Sequence, residues 1–355
     1  MHFEINESQS LIQRTARDFA QRRIAPEAAA IDRDGRFPSD ILRELAELGL
    51  MGVNVPEDLG GAQAGPVAYV LAMTEIARAC ASTAVTMSVT NMVAEVITRF
   101  GTDDQKQCYV PKLCSGEFAA GSFALSETGA GSDPGALRTT ARREGDTWIL
   151  NGEKMWITSG DRAGVLIVWA RTGPLATHPG TKGVSCFLVE PGTPGFSVGK
   201  HEDKMGIRGS TTVSLLFDEC TVPSSALLGE ENRGFRIAMM ALDGGRLGIS
   251  SQAIGIASAA LDETVAYVKE RKQFGRAIGD FQAIQWQLAD SRTELDAAKM
   301  LALRAAWLKE NGRPIPSTRI SSCGFGVVDA GNSMMFSALQ RSSLPMYLPS
   351  TKMVA

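Results

Sequence analysis

The hydrophobic period of this chain changes twice, and that alternation limits its fold more than any single motif does. Over residues 1–117 the period is helical. Leu11, Ile12, Ala16, Phe19, Ala20 and Ile24 recur behind Asn6 and Gln9, which have the spacing of a capping pair. "FPSD" at 37–40 reads as a helix start, followed by Ile41, Leu42, Leu45 and Leu48, with Gly52 as the stop. Val67 to Phe100, rich in Ala and Met and closed by Gly101, reads as one buried helix or a helix pair. Over 118–230 the runs are short and rich in Val, Ile, Leu and aromatics: "TWILNG", "GVLIVWA", "GVSCFLVE" and "TTVSLLF", separated by Gly, Pro and Asp. These are strand signals for a compact sheet or barrel. Over 231–313 the helical period returns, first through Ile237, Met240, Ala241, Ile249, Ala253, Ile256, Ala257, Ala260 and Leu261. A second helix from Phe281 to Lys309 carries Ile284, Leu288, Leu295 and Leu301.

This order predicts a mainly helical α+β fold: an N-terminal helical domain (1–117), a middle β domain (118–230) and a C-terminal helical domain (231–313). After "NGRPIP" the period is lost. The divergent tail, 314–355, reads as a loop, a disordered end or the product of a disrupted reading frame, so the C-terminal bundle is expected to be truncated.

Composition excludes several classes of function. With 44% hydrophobic residues in 355, the chain can bury a large core. Its 36 basic and 39 acidic residues intermingle without a sustained run of one sign. Nucleic acid and acidic membrane surfaces are therefore not expected partners. Six cysteines form no C-x-x-C pair and read as reduced thiols, which argues against a disulfide framework or a zinc site. His2, His178 and His201 lack metal-ligand spacing. The N-terminal stretch mixes charges and has no apolar core, and no run is apolar enough for a membrane span, so a cytoplasmic protein is expected.

The segment with the strongest chemical signal is "FALSETGAGSD", residues 123–133. Small and hydroxylated residues there let a polar ligand approach the backbone. The lysine and spacing of a phosphate-binding P-loop are absent, and Gly129, Gly131 and Gly135 miss the dinucleotide fingerprint by one residue.

Five stretches in register, "VPEDLGG" (55–61), this cradle, "NGEKMWITSG" (151–160), "LDGGR" (242–246) and "ERKQFGRAIGDFQAIQ" (270–285), resemble the acyl-CoA dehydrogenases. These flavoenzymes oxidise the bond between the α and β carbons of an acyl-CoA thioester, and "LDGGR" is similar to the short-chain members. The resemblance runs from the N-terminus to about Arg313 and implies FAD as cofactor. It implies flavin contacts at Phe123, Leu125, Ser126, Trp156, Ile157 and Thr158, where a hydroxyl meets the ring's polar edge and an indole gives a flat wall. Family members commonly have proline at the place of Thr128. Ser132 resembles the serine that meets the thioester ligand, and Asp243, Gly244, Gly245 and Arg246 the stretch that meets coenzyme A. Arg271, Gln273, Phe274 and Gln282 match positions that bind the flavin's pyrophosphate and adenosine across a subunit interface, which implies a homodimer or homotetramer. An electron-transfer flavoprotein is the implied acceptor; sequence does not separate it from oxygen.

The implied reaction needs a carboxylate base. Most family members carry it late in the chain, in a Tyr-Glu-Gly-Thr-like context; a minority carry it at the place of Gly245. Neither is present here, and Asp329, the only acid of the tail, does not match the family context. The catalytic residue is thus not assigned. The resemblance leaves two readings: a short-chain or short branched-chain acyl-CoA dehydrogenase with an aberrant end, or a protein that binds flavin or acyl-CoA without turnover.

Overall fold

The computed structural model describes residues 4–174 and 177–313. The expectations about the tail, Asp329 included, lie outside them. Six helices come first: α1 (Glu7–Phe19), α2 (Ala25–Asp34), α3 (Ser39–Glu47), α4 (Gly65–Ala79), α5 (Ala81–Phe100) and α6 (Asp103–Cys114). Asn6 and Gln9 form the capping box that their spacing predicts: Gln9 N donates to Asn6 Oδ1 at 2.8 Å and Asn6 N to Gln9 Oε1 at 3.0 Å. The 67–100 stretch is a helix pair, broken where Cys80 turns extended (φ −155°, ψ 113°). One boundary differs from expectation. Helix α3 stops at Glu47, because Gly49 enters the left-handed region (φ 72°), and Gly52 instead closes a short 3-10 turn.

The middle segment is a seven-stranded sheet of β1 (Ala120–Ala124), β2 (Thr140–Glu144), β3 (Thr147–Thr158), β4 (Ala163–Arg171), β5 (Val184–Val189), β6 (Phe196–His201) and β7 (Thr212–Pro223). Its order is β1-β4-β2-β3-β7-β6, with β5 paired to β4. Strand β1 runs parallel to β4, while β3 and β7 form the long antiparallel ladder. Strands β1, β2 and β6 escape a reading by hydrophobic run. "AGSFA" is built of small residues, and most of β2 and β6 is exposed, so neither side of them carries a clean alternation.

Helix α7 (Gly234–Glu270) then leads through a hairpin, β8 (Lys272–Gln273) and β9 (Arg276–Ala277), into α8 (Gln282–Glu310). One hydrophobic cluster joins α5, the sheet and the start of α7 through Val93, Val96, Ile167, Trp169, Ile237 and Ala241. Another joins α4, α7 and α8 through Val70, Ile254, Leu261, Leu295 and Ala302. Among the described residues no helix is long and apolar enough to cross a membrane.

Trp169 ties the layers together. It is fully buried on β4, and its indole N–H donates to Gly234 O, in the first turn of α7, at 2.7 Å. Trp169→Phe removes that bond and part of the packed volume. It should lower the unfolding free energy by about 1–3 kcal/mol, read from the urea midpoint at unchanged slope.

Candidate active site

Strand β1 delivers the cradle. Phe123 packs inward on Trp169, ring centroids 4.3 Å apart, and Leu125 is buried in the core. The chain then makes a two-residue turn. Glu127 N donates to Ala130 O at 3.2 Å and Ala130 N to Glu127 O at 3.0 Å, leaving Thr128 and Gly129 exposed at the tip. Ser132 follows on the exposed side of the same loop.

The end of β3 lies beside this turn. Met155 N donates to Ser126 O at 2.9 Å, and Ser122 Oγ donates to Thr158 O at 2.7 Å. Six expected flavin contacts, Phe123, Leu125, Ser126 and Trp156 to Thr158, thus converge. Leu125 and Ile157 differ in character, both being packed in the core. Trp156 is their opposite: 60% exposed, with φ at 60°. A bulky residue held in that region costs of order 1–3 kcal/mol and persists only where surrounding structure imposes it.

Beneath the cradle lies a charged pair that the sequence reading did not single out. Glu127 is 8% exposed and its carboxylate accepts four hydrogen bonds, from Arg138 N (2.6 Å), Thr139 N (3.0 Å), Thr139 Oγ1 (2.6 Å) and Lys154 Nζ (2.7 Å). Lys154 is fully buried and donates also to Leu125 O at 3.2 Å. One carboxylate therefore pins both ends of the 126–139 loop, and one ammonium fastens the strand that enters it. Burial pulls the lysine down to about 8, with Glu127 offsetting only part of that loss. For Glu127, burial pushes the carboxyl up, but the Lys154 charge and the hydrogen bonds outweigh it and hold it below its ordinary value. The available signal was strand phase: Lys154 falls on the same side of β3 as buried Trp148 and Leu150.

The expected coenzyme A contacts sit on α7. Asp243 and Arg246 form an outward pair, Arg246 Nη1 donating to Asp243 Oδ1 at 2.5 Å. Gly244 and Gly245 lie between helices. A Cβ on Gly245 would stand 3.0 Å from Met92 Sδ of α5. The expected distal flavin contacts lie elsewhere, at the far end of α7: Arg271 caps that helix, Gln273 and Phe274 sit in the β8–β9 hairpin, and Gln282 opens α8. All four are exposed. Phe274 is 93% exposed with φ at 51°, next to Gly275 at 78°. Two left-handed residues make the tight turn such a hairpin needs, and a phenylalanine is a strained choice for the first.

Comparison with known proteins places these observations in a family. The acyl-CoA dehydrogenase N-terminal domain matches residues 6–117, the middle domain 122–220 and the C-terminal domain 232–340. The chain is 48% identical over 312 residues to the mitochondrial short-chain specific acyl-CoA dehydrogenase of Bos taurus, covering 88% of this chain and 75% of that protein. Its fold is similar to that of butyryl-CoA dehydrogenase from Megasphaera elsdenii, with TM-score 0.90 and 38% identity over 96% of this chain and 89% of that one. It is also similar to a glutaryl-CoA dehydrogenase from Mycobacterium smegmatis in complex with FADH2, with TM-score 0.87 and 31% identity over 95% and 84%.

The clamp under the cradle generates two expectations. Lys154→Met strands the Glu127 carboxylate in the core and should cost about 3–5 kcal/mol, measured by urea unfolding. Glu127 carries a depressed native pKa, so its contribution is present above the unfolded carboxylate value and is lost as pH falls through the native one. Glu127→Gln should accordingly flatten the fall in stability between about pH 5 and pH 2.

Proposed function

The chain belongs to the acyl-CoA dehydrogenase family, and from that premise we propose that it converts a short-chain or short branched-chain acyl-CoA to the 2-enoyl-CoA, passing electrons to a flavoprotein acceptor. The cofactor of this enzyme family is FAD, which supplies the two-electron acceptor that α,β-dehydrogenation requires. The residues present fit it. The exposed Trp156 indole stands beside the cradle, and the Ser126 and Thr158 hydroxyls have no side-chain partner among the described residues. The buried Ser159 Oγ next to them is likewise unpartnered. Exposed aromatic surface and unsatisfied hydroxyls at one edge are what a planar, polar-rimmed ligand satisfies.

In this reading Ser126, Trp156 and Thr158 hold the flavin. The Glu127–Lys154 clamp keeps their loop in place, and Ser132, Asp243 and Arg246 meet the thioester ligand. Arg271, Gln273, Phe274 and Gln282 serve a flavin held by a second copy, in a homodimer or homotetramer in the cytoplasm. The observation that carries the reading is the Met155–Ser126 bond, which brings the two ring-contact segments to one edge.

A second reading, binding without turnover, is favoured by the missing base: the late Tyr-Glu-Gly-Thr-like context of most of the resembled family is not found in the sequence, and Gly245 offers no carboxylate where a minority places it. Anaerobic titration of the flavin-loaded protein with butyryl-CoA separates the two. Bleaching of the visible band is the expected outcome for a dehydrogenase; a shifted but unbleached band supports the binding protein. In the latter case Gly245→Glu should restore measurable bleaching. Combining it with Met92→Ala should restore more, since the new side chain has to displace a thioether 3.0 Å from its Cβ.

A further inference from the structure

Arg171 ends β4 and is 5% exposed. A guanidinium has five N–H donors in a planar fork, and here each of them meets a main-chain carbonyl. Nε donates to Leu137 O at 3.4 Å and Nη2 to Gly135 O at 2.9 Å, both in the loop that carries Ser132. The other Nη2 bond goes to Gly180 O at 2.9 Å, while Nη1 donates to Lys182 O at 3.0 Å and to His178 O at 3.3 Å. Those three alternate residues belong to the loop between β4 and β5, whose side chains there are largely exposed. Among the described residues no carboxylate bonds to Arg171; the Glu127 charge acts on it from a distance and offsets only part of the burial that pulls the guanidinium below its ordinary value.

The two loops touch: a Cβ on Gly135 would stand 3.2 Å from Thr181 Cγ2. Between Gly135 and Ser132 the chain is stiff, because Pro134 fixes its own φ and Asp133 Oδ1 accepts from Gly135 N at 3.2 Å. The place of Gly135 therefore carries through to Ser132. Over 135–139 the division of labour is complete: Arg171 takes the carbonyls of Gly135 and Leu137, and Glu127 takes the amides of Arg138 and Thr139.

We infer that Arg171 is a positioning residue for the thioester ligand: it fixes Ser132 in space by stitching its loop to residues 178–182. The inference rests on the acyl-CoA reading above. The proposed flavin edge does not depend on this stitch. Ser126, Trp156 and Thr158 are brought together by the Met155–Ser126 bond, and the Glu127–Lys154 pair holds that end of the loop. Loss of the guanidinium releases both loops on the ligand side, so the ligand has to order them as it binds. A lysine is no substitute, since it keeps the charge but brings three donors, without a fork, to five carbonyls.

The test uses full-length protein and two dissociation constants for each variant: that of FAD, from titration of the flavin-free chain, and that of crotonyl-CoA, a product-like ligand, from the shift of the visible band of the flavin-loaded chain. Arg171→Met should weaken crotonyl-CoA binding about tenfold or more and leave FAD binding within about twofold. Arg171→Lys should fall between this variant and the unaltered protein, and serves alone if the methionine variant does not fold. Crotonyl-CoA affinity that is unchanged in a flavin-loaded variant, that falls only in step with FAD affinity, or that is fully restored by lysine overturns the positioning role while the acyl-CoA reading stands. Loss of flavin uptake by both variants overturns it as well, since the flavin edge would then depend on Arg171. Failure of the unaltered, flavin-loaded protein to bind crotonyl-CoA overturns both.

Discussion

The Glu127 carboxylate is largely withdrawn from water, and a buried charge has to be matched on the spot or it destabilises its surroundings. Here it is matched by two main-chain amides, a hydroxyl and an ammonium. The partners come from Arg138, Thr139 and Lys154, so the turn at Thr128, the return of the loop into β2 and the exit of β3 all depend on a single group. The cradle is thereby a rigid object built from an otherwise pliant, glycine-rich segment. Replacing the pair by apolar residues would not obviously harm the core, but it would release the loop; specificity of conformation is what a buried ion pair supplies best.

Much of this was legible before any coordinates. The Asn6–Gln9 box, the helical faces on either side of the sheet and the four apolar strands follow from periods of 3.6 and 2 together with one capping rule. What escaped has physical causes. Strands β2 and β6 show water most of their side chains, and β1 is made of small residues, so burial patterning is silent there. Gly52 looked like a stop because Gly49, three residues before it, competes for the same role and wins by entering the left-handed region first.

The site was legible as segments but not as a network. "SETGAG" and "GEKMWIT" advertise small and polar residues, yet nothing in either predicts that the Glu of one neutralises the Lys of the other, 27 positions away. An ion pair between Glu95 and Lys309 spans 214 positions and is set by how α8 returns to α5. Backbone strain is equally invisible in letters. Trp156 and Phe274 read as ordinary aromatics, but both are exposed and both have positive φ, a strained conformation for a bulky residue.

Helix α7 runs unbroken for 37 residues. Its first turns pack against the sheet and Phe123, and its last residue precedes Arg271. At 1.5 Å per residue, the path from Leu242 to Arg271 is about 44 Å, traversed by a stiff rod. No bending brings the two ends to one small molecule. On the proposed reading, a dinucleotide resting on the cradle of one copy meets the hairpin of a second copy. If both ends handle the same cofactor, the ruler-like length of α7 makes two chains the minimum unit that can grip it.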